Sequence, residues 1–241
     1  MLDINNVDLE ITGQAWSNLN IKCGAYKQIV TCQENGYIIG ERKSAISGIE
    51  SDKYCKYCQF VNSVDHILLS CKAHKKSQIE RHDCIVEEMW RAIMIKYDQI
   101  YVGNEDIVEL PEGGKAWKGK EMMFRIDGKY PKKPDITWKV GKEKAYIIDI
   151  TIVANKNLSL AFFGKIKKYM ELREKLRKCW DINNIKIVPV VITTGGLINK
   201  YSVQKIKEMG LQLKWEKIVR NLLCQQMIEI MKRFYQDDFK F

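Results

Sequence analysis

The chain is 241 residues long, 46% hydrophobic, and carries 40 Lys and Arg against 30 Asp and Glu, for a formal net charge of +10. That length and apolar content are enough for a substantial core, built as one large domain or one domain with appendages, and they exclude a disordered chain. No long uncharged apolar run marks a transmembrane span, and Met1-Leu2-Asp3-Ile4-Asn5-Asn6 lacks the basic and apolar regions of a signal peptide, so an intracellular protein is expected.

The charge is concentrated. Residues 115–180 hold 18 Lys and Arg against 7 Asp and Glu, a net +11, which leaves the rest of the chain at about −1. A basic field of this kind suits a polyanionic substrate, although a solvated lysine-rich surface has the same composition. Eight cysteines in such a chain suit a reducing compartment and metal binding better than disulfides.

Residues 1–50 mix short helical and loop signals, with Asn35-Gly36 as a turn between Gln28-Ile29-Val30-Thr31 and Tyr37-Ile38-Ile39. This segment carries no visible chemistry and reads as a linker or packing segment. Residues 51–75 contain Cys55-x2-Cys58-x7-His66-x4-Cys71, a CCHC knuckle whose thiolates and imidazole can close a tetrahedral, structural Zn²⁺ site. His74 is an alternative fourth ligand and His82 a more remote one. Ile67-Leu68-Leu69 would pack the knuckle onto its neighbour. Cys23, Cys32, Cys84, Cys179 and Cys224 are left over and read as small apolar residues.

Ile79, His82, Val86, Met89, Trp90, Ile93 and Tyr97 fall at helical spacing, which predicts an amphipathic helix near 76–97. Glu87 or Glu88 on it could supply a third metal ligand, but both read rather as exposed surface charges and stand outside the proposed site. Leu110 to Lys115 reads as a flexible loop, and residues 118–126 fit either a helix or a strand. The basic turn Gly128 to Lys133 lies directly before Asp135, so Lys129, Lys132 and Lys133 would meet phosphate at the mouth of a site.

Pro134-Asp135-Ile136-Thr137-Trp138 and Ala145 to Val153 read as two strands, the second a near-continuous run of β-formers with Asp149 in its middle. A carboxylate there needs hydrogen bonds, an opposite charge or a metal ion to stay ionised. Pairing the two strands would bring Asp135 and Asp149 together at one end of a sheet, where two such acids bind Mg²⁺ or Mn²⁺ through oxygen. A helix over 158–180 follows. Lys165 and Lys168 share one face of it, Tyr169 lies one turn beyond Lys165, and Phe163, Ile166, Met170 and Leu176 mark the opposing, buried side. Acid, acid and lysine are the components of metal-assisted phosphodiester hydrolysis. Lys167 on the same helix adds a contact for the polyanionic substrate.

Residues 185–192 predict another buried strand, with Pro189 pointing to an edge or bulge, then a helix near 202–209 ending at Gly210 and a last helix from Trp215 to Phe234. The alternation predicts a mixed α/β core.

Pro134-Asp135, 13 intervening residues and Asp149 in an apolar strand resemble the PD-(D/E)XK nuclease superfamily, whose core is a restriction-endonuclease-like mixed sheet flanked by helices. The pattern departs at Thr151, where that superfamily has lysine. Lys165-Ile166-Lys167-Lys168-Tyr169 resembles the Lys-x-x-Lys-Tyr segment of one subgroup, the restriction-like endonuclease domain of non-LTR (LINE-class) retrotransposon proteins. The zinc segment followed by Arg81-His82-Asp83 is similar to the segment that precedes that domain. The resemblance covers residues 50–200 and implies a zinc knuckle over 51–75, an endonuclease core over 76–200 and a C-terminal helical extension over 201–241.

It further implies an enzyme that nicks target DNA so that the freed 3′-hydroxyl primes reverse transcription. The implied site is Asp135 and Asp149 on Mg²⁺ or Mn²⁺ with Lys165, Lys168 and Tyr169. A reverse transcriptase domain of the same polyprotein and the element RNA would be partners, and chromosomal DNA in the nucleus the target. Two other readings are a zinc-bearing nucleic-acid-binding module with an inactive nuclease core, and a stand-alone resolvase or repair nuclease of the same superfamily.

Overall fold

The computed structural model describes residues 4–34, 36–99, 106–119 and 133–232. The chain is mixed α/β, and its described strands form one five-stranded sheet. Three short helices come first: α1 (Leu9–Ser17), α2 (Cys23–Gln33) and α3 (Glu41–Ser47). Asp8 caps α1 by accepting from the Ile11 N–H at 2.9 Å. The stretch Gln28 to Thr31 lies within α2, and of the expected turn only Gly36 falls among the described residues. Helix α4 (Val64–Leu69) starts at Ser63, whose hydroxyl accepts from the His66 N–H at 3.1 Å, and α5 (Lys75–Lys96) is the long helix that the apolar spacing predicted.

The sheet begins with β1 (Ile107–Leu110) and β2 (Gly114–Lys118), joined by the 3₁₀ turn Pro111–Gly113 where a flexible loop was expected. Lys118 ends β2, and residues 120–126 lie outside the described residues. Strands β3 (Ile136–Val140) and β4 (Lys144–Val153) complete an antiparallel meander, with Ile136 opposite Ile148. Helix α6 (Leu158–Trp180) then crosses over to β5 (Asn184–Thr193), which runs parallel to β4 with Pro189 beside Asp149. After β5 come α7 (Lys200–Glu208), followed by Gly210 at φ +67°, and α8 (Trp215–Arg220), which runs on into π-helical turns over Asn221–Met227. The register of apolar residues gave no sign of that widening.

Alternation along β4 divides the core. Ile148 and Ile150 face α5, where they join Ile136, Trp138, Ile85, Met89, Trp90 and Ile93 in one cluster. Ala145 and Ile147 face α6 and pack on Tyr169, Leu172 and Leu176. Burial on both faces is why β4 reads as an unbroken apolar run, and each such side chain contributes roughly 1.5–3 kcal/mol by leaving water.

This packing corrects the expected phase of α6. Phe163 is 56% and Met170 46% exposed, whereas Tyr169 is fully buried. Leu158, Phe162, Tyr169, Leu172 and Leu176 recur at helical spacing and form the sheet-facing side, and Lys165 falls on that same stripe between Phe162 and Tyr169. The lysine face of α6 is thus its inner face at this level.

The N-terminal helices close on the far end of the chain. Val7 bridges to Asn199, the Asp8 N–H donates to the Ile198 carbonyl at 2.8 Å, and Ala15, Leu19, Ile29 and Cys32 belong to the cluster under α5. Cys32 is buried as read, but Cys23 and Cys179 are exposed. Strand β5 is the outermost described strand on its side, consistent with Pro189. The Ser202 hydroxyl of α7 donates to the Pro189 carbonyl at 2.9 Å and accepts from the Val191 N–H at 3.1 Å. Among the described residues no helix is long and apolar enough to cross a membrane.

Candidate active site and metal centre

Asp149 is 3% exposed, and its two oxygens meet three side chains of α6. The Tyr169 hydroxyl donates to Oδ1, and Lys168 Nζ lies 3.5 Å from the same oxygen. Lys165 Nζ lies 2.5 Å from Oδ2 as an ion pair. Lys168 also donates to the Tyr169 hydroxyl at 2.8 Å, and that hydroxyl sits 3.1 Å from the Lys133 carbonyl. Burial, and then the charge of Asp149, push the Tyr169 phenol far above its ordinary range, which keeps it a neutral donor. Lysine spacing and the inward phase of α6 together surround this buried carboxylate with two ammonium groups and a hydroxyl donor.

Asp135 stands just before β3. Continuing the register by one pair sets it opposite Asp149, with Cα atoms about 4.5–5.5 Å apart in such a ladder. Its Oδ2 accepts from the Ile150 N–H at 2.6 Å and faces His82 Nε2 at 3.2 Å, while Oδ1 has no hydrogen bond among the described residues. The Ile150 N–H points to the β3 side of β4, where β3 has not yet begun, so the Asp135 carboxylate completes the ladder there. The two carboxylates thus stand at the same end of the sheet, Asp149 held by Lys165, Lys168 and Tyr169 and Asp135 by His82 and the Ile150 N–H.

His82 is the residue that sequence reasoning placed elsewhere. It had been a remote zinc ligand and an apolar-stripe member; it instead holds Asp135 with Nε2 and Asp83 Oδ1 with Nδ1 at 3.1 Å. The hydrogen bond to Asp135 leads in raising its pKa from 6.5 to about 9. Glu87 and Glu88 are not exposed charges. Glu87 pairs with Lys118 at 2.7 Å, and Glu88 pairs with Arg91 at 2.6 Å and with Lys217. Lys129 and Lys132 lie outside the described residues, while Lys133 and Lys167 are exposed.

The second centre is made by Cys55, Cys58, His66 and Cys71, whose ligand atoms all lie within 4.8 Å of one another and can hold a metal ion such as zinc. Cys71 Sγ lies 3.8 Å from Cys55 Sγ and 3.9 Å from Cys58 Sγ. A tetrahedron with metal–sulfur bonds of about 2.3 Å has edges of about 3.8 Å, so the thiols already stand at its corners.

The local fold explains the placement. Cys55 N–H donates to the Phe60 carbonyl at 2.8 Å, and Gln59 takes φ +61°, which folds Cys58 back toward Cys55. Ser70 Oγ lies 3.2 Å from His66 Nδ1 and sets the ring so that Nε2, buried and without a hydrogen bond, is left for the metal. Burial lowers the His66 pKa, which favours the neutral ligand form. The Lys72 N–H, 3.1 Å from Cys58 Sγ, leads in lowering that thiol's pKa, whereas burial pushes Cys71 up to about 12. His74 is buried nearby but is not among the four converging ligands.

The two centres are linked through α5. Arg81, 3% exposed, donates from Nη2 to the Leu68 carbonyl at 2.7 Å, one residue before His82 reaches Asp135. A scan against protein-family models matches none of them, and a search of curated proteins returns no similar sequence.

Proposed function

We propose that this chain is a divalent-metal-dependent DNA endonuclease of the restriction-like, PD-(D/E)XK type, with a structural Zn²⁺ held by Cys55, Cys58, His66 and Cys71. The observation that carries the reading is Asp149: a buried acid inside the sheet, met by Lys165, Lys168 and Tyr169 from the next helix and standing across the ladder from Asp135. Asp135 and Asp149 would hold Mg²⁺ or Mn²⁺, which when bound supplies Lewis-acid polarisation of the scissile phosphate. Lys165 offsets the charge that develops on that phosphate, while Tyr169 and Lys168 keep Asp149 oriented. The basic stretch over residues 115–180 supplies affinity for the backbone.

The order of the zinc segment, the Arg81-His82-Asp83 segment, the two acids and Lys165-x-x-Lys168-Tyr169 supports the narrower reading of a non-LTR retrotransposon protein. That enzyme nicks nuclear DNA to prime reverse transcription by a domain of the same polyprotein copying the element RNA. A second reading, a nucleic-acid-binding module with an inactive core, is favoured by the direct Lys165–Asp149 ion pair. Plasmid nicking separates the two. The nuclease reading expects nicked circles in Mg²⁺ or Mn²⁺, lost in Asp149→Asn with DNA binding retained; a parent protein that binds but never cuts supports the binding module.

A further inference from the structure

A cleft of about 230 Å³ opens beside Asp135, between the first turns of α5 and the last residues of β4. Its polar wall is Lys75, Gln78, Arg81, His82 and Thr151, and no carboxylate lines it. Ile150 turns its N–H toward this side of β4, and the ladder's alternation turns the Ile152 N–H the same way. Helix α5 begins here with no acidic residue in its first turn and no side-chain cap.

Arg81 makes this wall unusual. Its side chain is sealed in protein, Nη2 is bonded to the Leu68 carbonyl, and Nε and Nη1 have no acceptor among the described residues. Burial lowers its pKa to about 10, and it remains charged at neutral pH. An uncompensated buried guanidinium is costly, and an anion in the adjoining cleft offsets that cost. The exposed ammonium of Lys75 stands at the rim to meet the same anion.

We propose that this cleft seats a backbone phosphate of the nucleic-acid strand, next to the phosphate presented to Asp135 and Asp149. The proposal rests on the nuclease reading for its orientation, and it adds a second phosphate position. His82 is shared between the two: it lines the cleft and holds Asp135, so an occupied cleft fixes the strand relative to the acid. Because Arg81 also holds Leu68, the zinc-binding segment forms part of the wall that carries the strand. Thr151, half-exposed, lines this cleft from the end of β4.

The test is DNA binding by fluorescence anisotropy over a salt series, without Mg²⁺ or Mn²⁺, so that it does not depend on cutting. Lys75→Ala and Thr151→Glu change exposed or half-exposed positions and spare the buried Arg81. Each is expected to weaken binding about fivefold or more near physiological salt and to reduce the slope of log K against log salt by about 1. A single-stranded RNA of the same length and inorganic phosphate serve as competitors: RNA that displaces DNA from the parent but much less from Thr151→Glu points to the shared phosphodiester, while displacement by millimolar phosphate alone overturns a strand-specific seat. Unchanged affinity and slope in both variants overturn the proposal whether or not the protein cuts. Weakened binding in a protein that never nicks leaves the cleft standing and removes only the nuclease reading.

Discussion

The Tyr169 hydroxyl donates to Asp149 Oδ1 from the sheet-facing side of α6, with both side chains buried. Tyr169→Phe removes the donor and leaves a buried acceptor short of a partner, at a cost of about 1–3 kcal/mol. Urea unfolding should show a lower midpoint with an unchanged m-value, and nicking should fall because Asp149 loses its anchor. A midpoint equal to the parent's would show that the hydroxyl does not hold the acid.

The two lysines are not equivalent. Lys165 lies 2.5 Å from Asp149 Oδ2 and is 25% exposed, whereas Lys168 lies 3.5 Å from Oδ1 and is 44% exposed. Lys165→Ala is expected to lower the nicking rate about 100-fold, and Lys168→Ala by about tenfold or less. Single-turnover rates at saturating protein decide it, and the reverse order would move the catalytic role to Lys168.

Metal analysis of reduced, freshly purified protein should find close to one zinc per chain. Cys71→Ser and His66→Asn should lose it and with it much of the stability, since metal binding at a closed site is folding free energy. His74→Gln should keep it, because His74 does not converge with the other ligands. Retention of zinc in His66→Asn and its loss in His74→Gln would exchange their roles.

His82 predicts a pH dependence. Its folded pKa of about 9 lies above the ordinary 6.5, chiefly through the hydrogen bond to Asp135. The pair therefore stabilises the fold fully below about pH 6.5, and that contribution is lost as pH rises toward 9; after discounting for its partial exposure it is on the order of 2 kcal/mol. Denaturation midpoints measured over this range without Mg²⁺ or Mn²⁺ should fall for the parent and stay flat for His82→Gln. Equal slopes would remove the His82–Asp135 pair as the cause.

Much of this was legible because one constraint left one signature. The apolar run of β4 interrupted by Asp149, the Cys-x2-Cys spacing and the stripe of α5 each translate directly into a strand, a ligand set and a helix. What misled was phase on a helix whose two sides look alike. Phe163 and Met170 are apolar yet face outward, while Lys165 lies on the inner stripe because Asp149 gives its charge a partner there. His82 was missed because its partner is 53 residues away in the chain and no local spacing encodes that contact. The π-helical turns after α8 depend on packing between distant segments and leave no local pattern.

Ser202 has a consequence for assembly. At the rim of β5 one hydroxyl answers both the Pro189 carbonyl and the Val191 amide, and proline at 189 has no N–H to offer a newcomer. An incoming chain finds that stretch of main chain already saturated, so strand-to-strand addition is blocked at Pro189 and Val191.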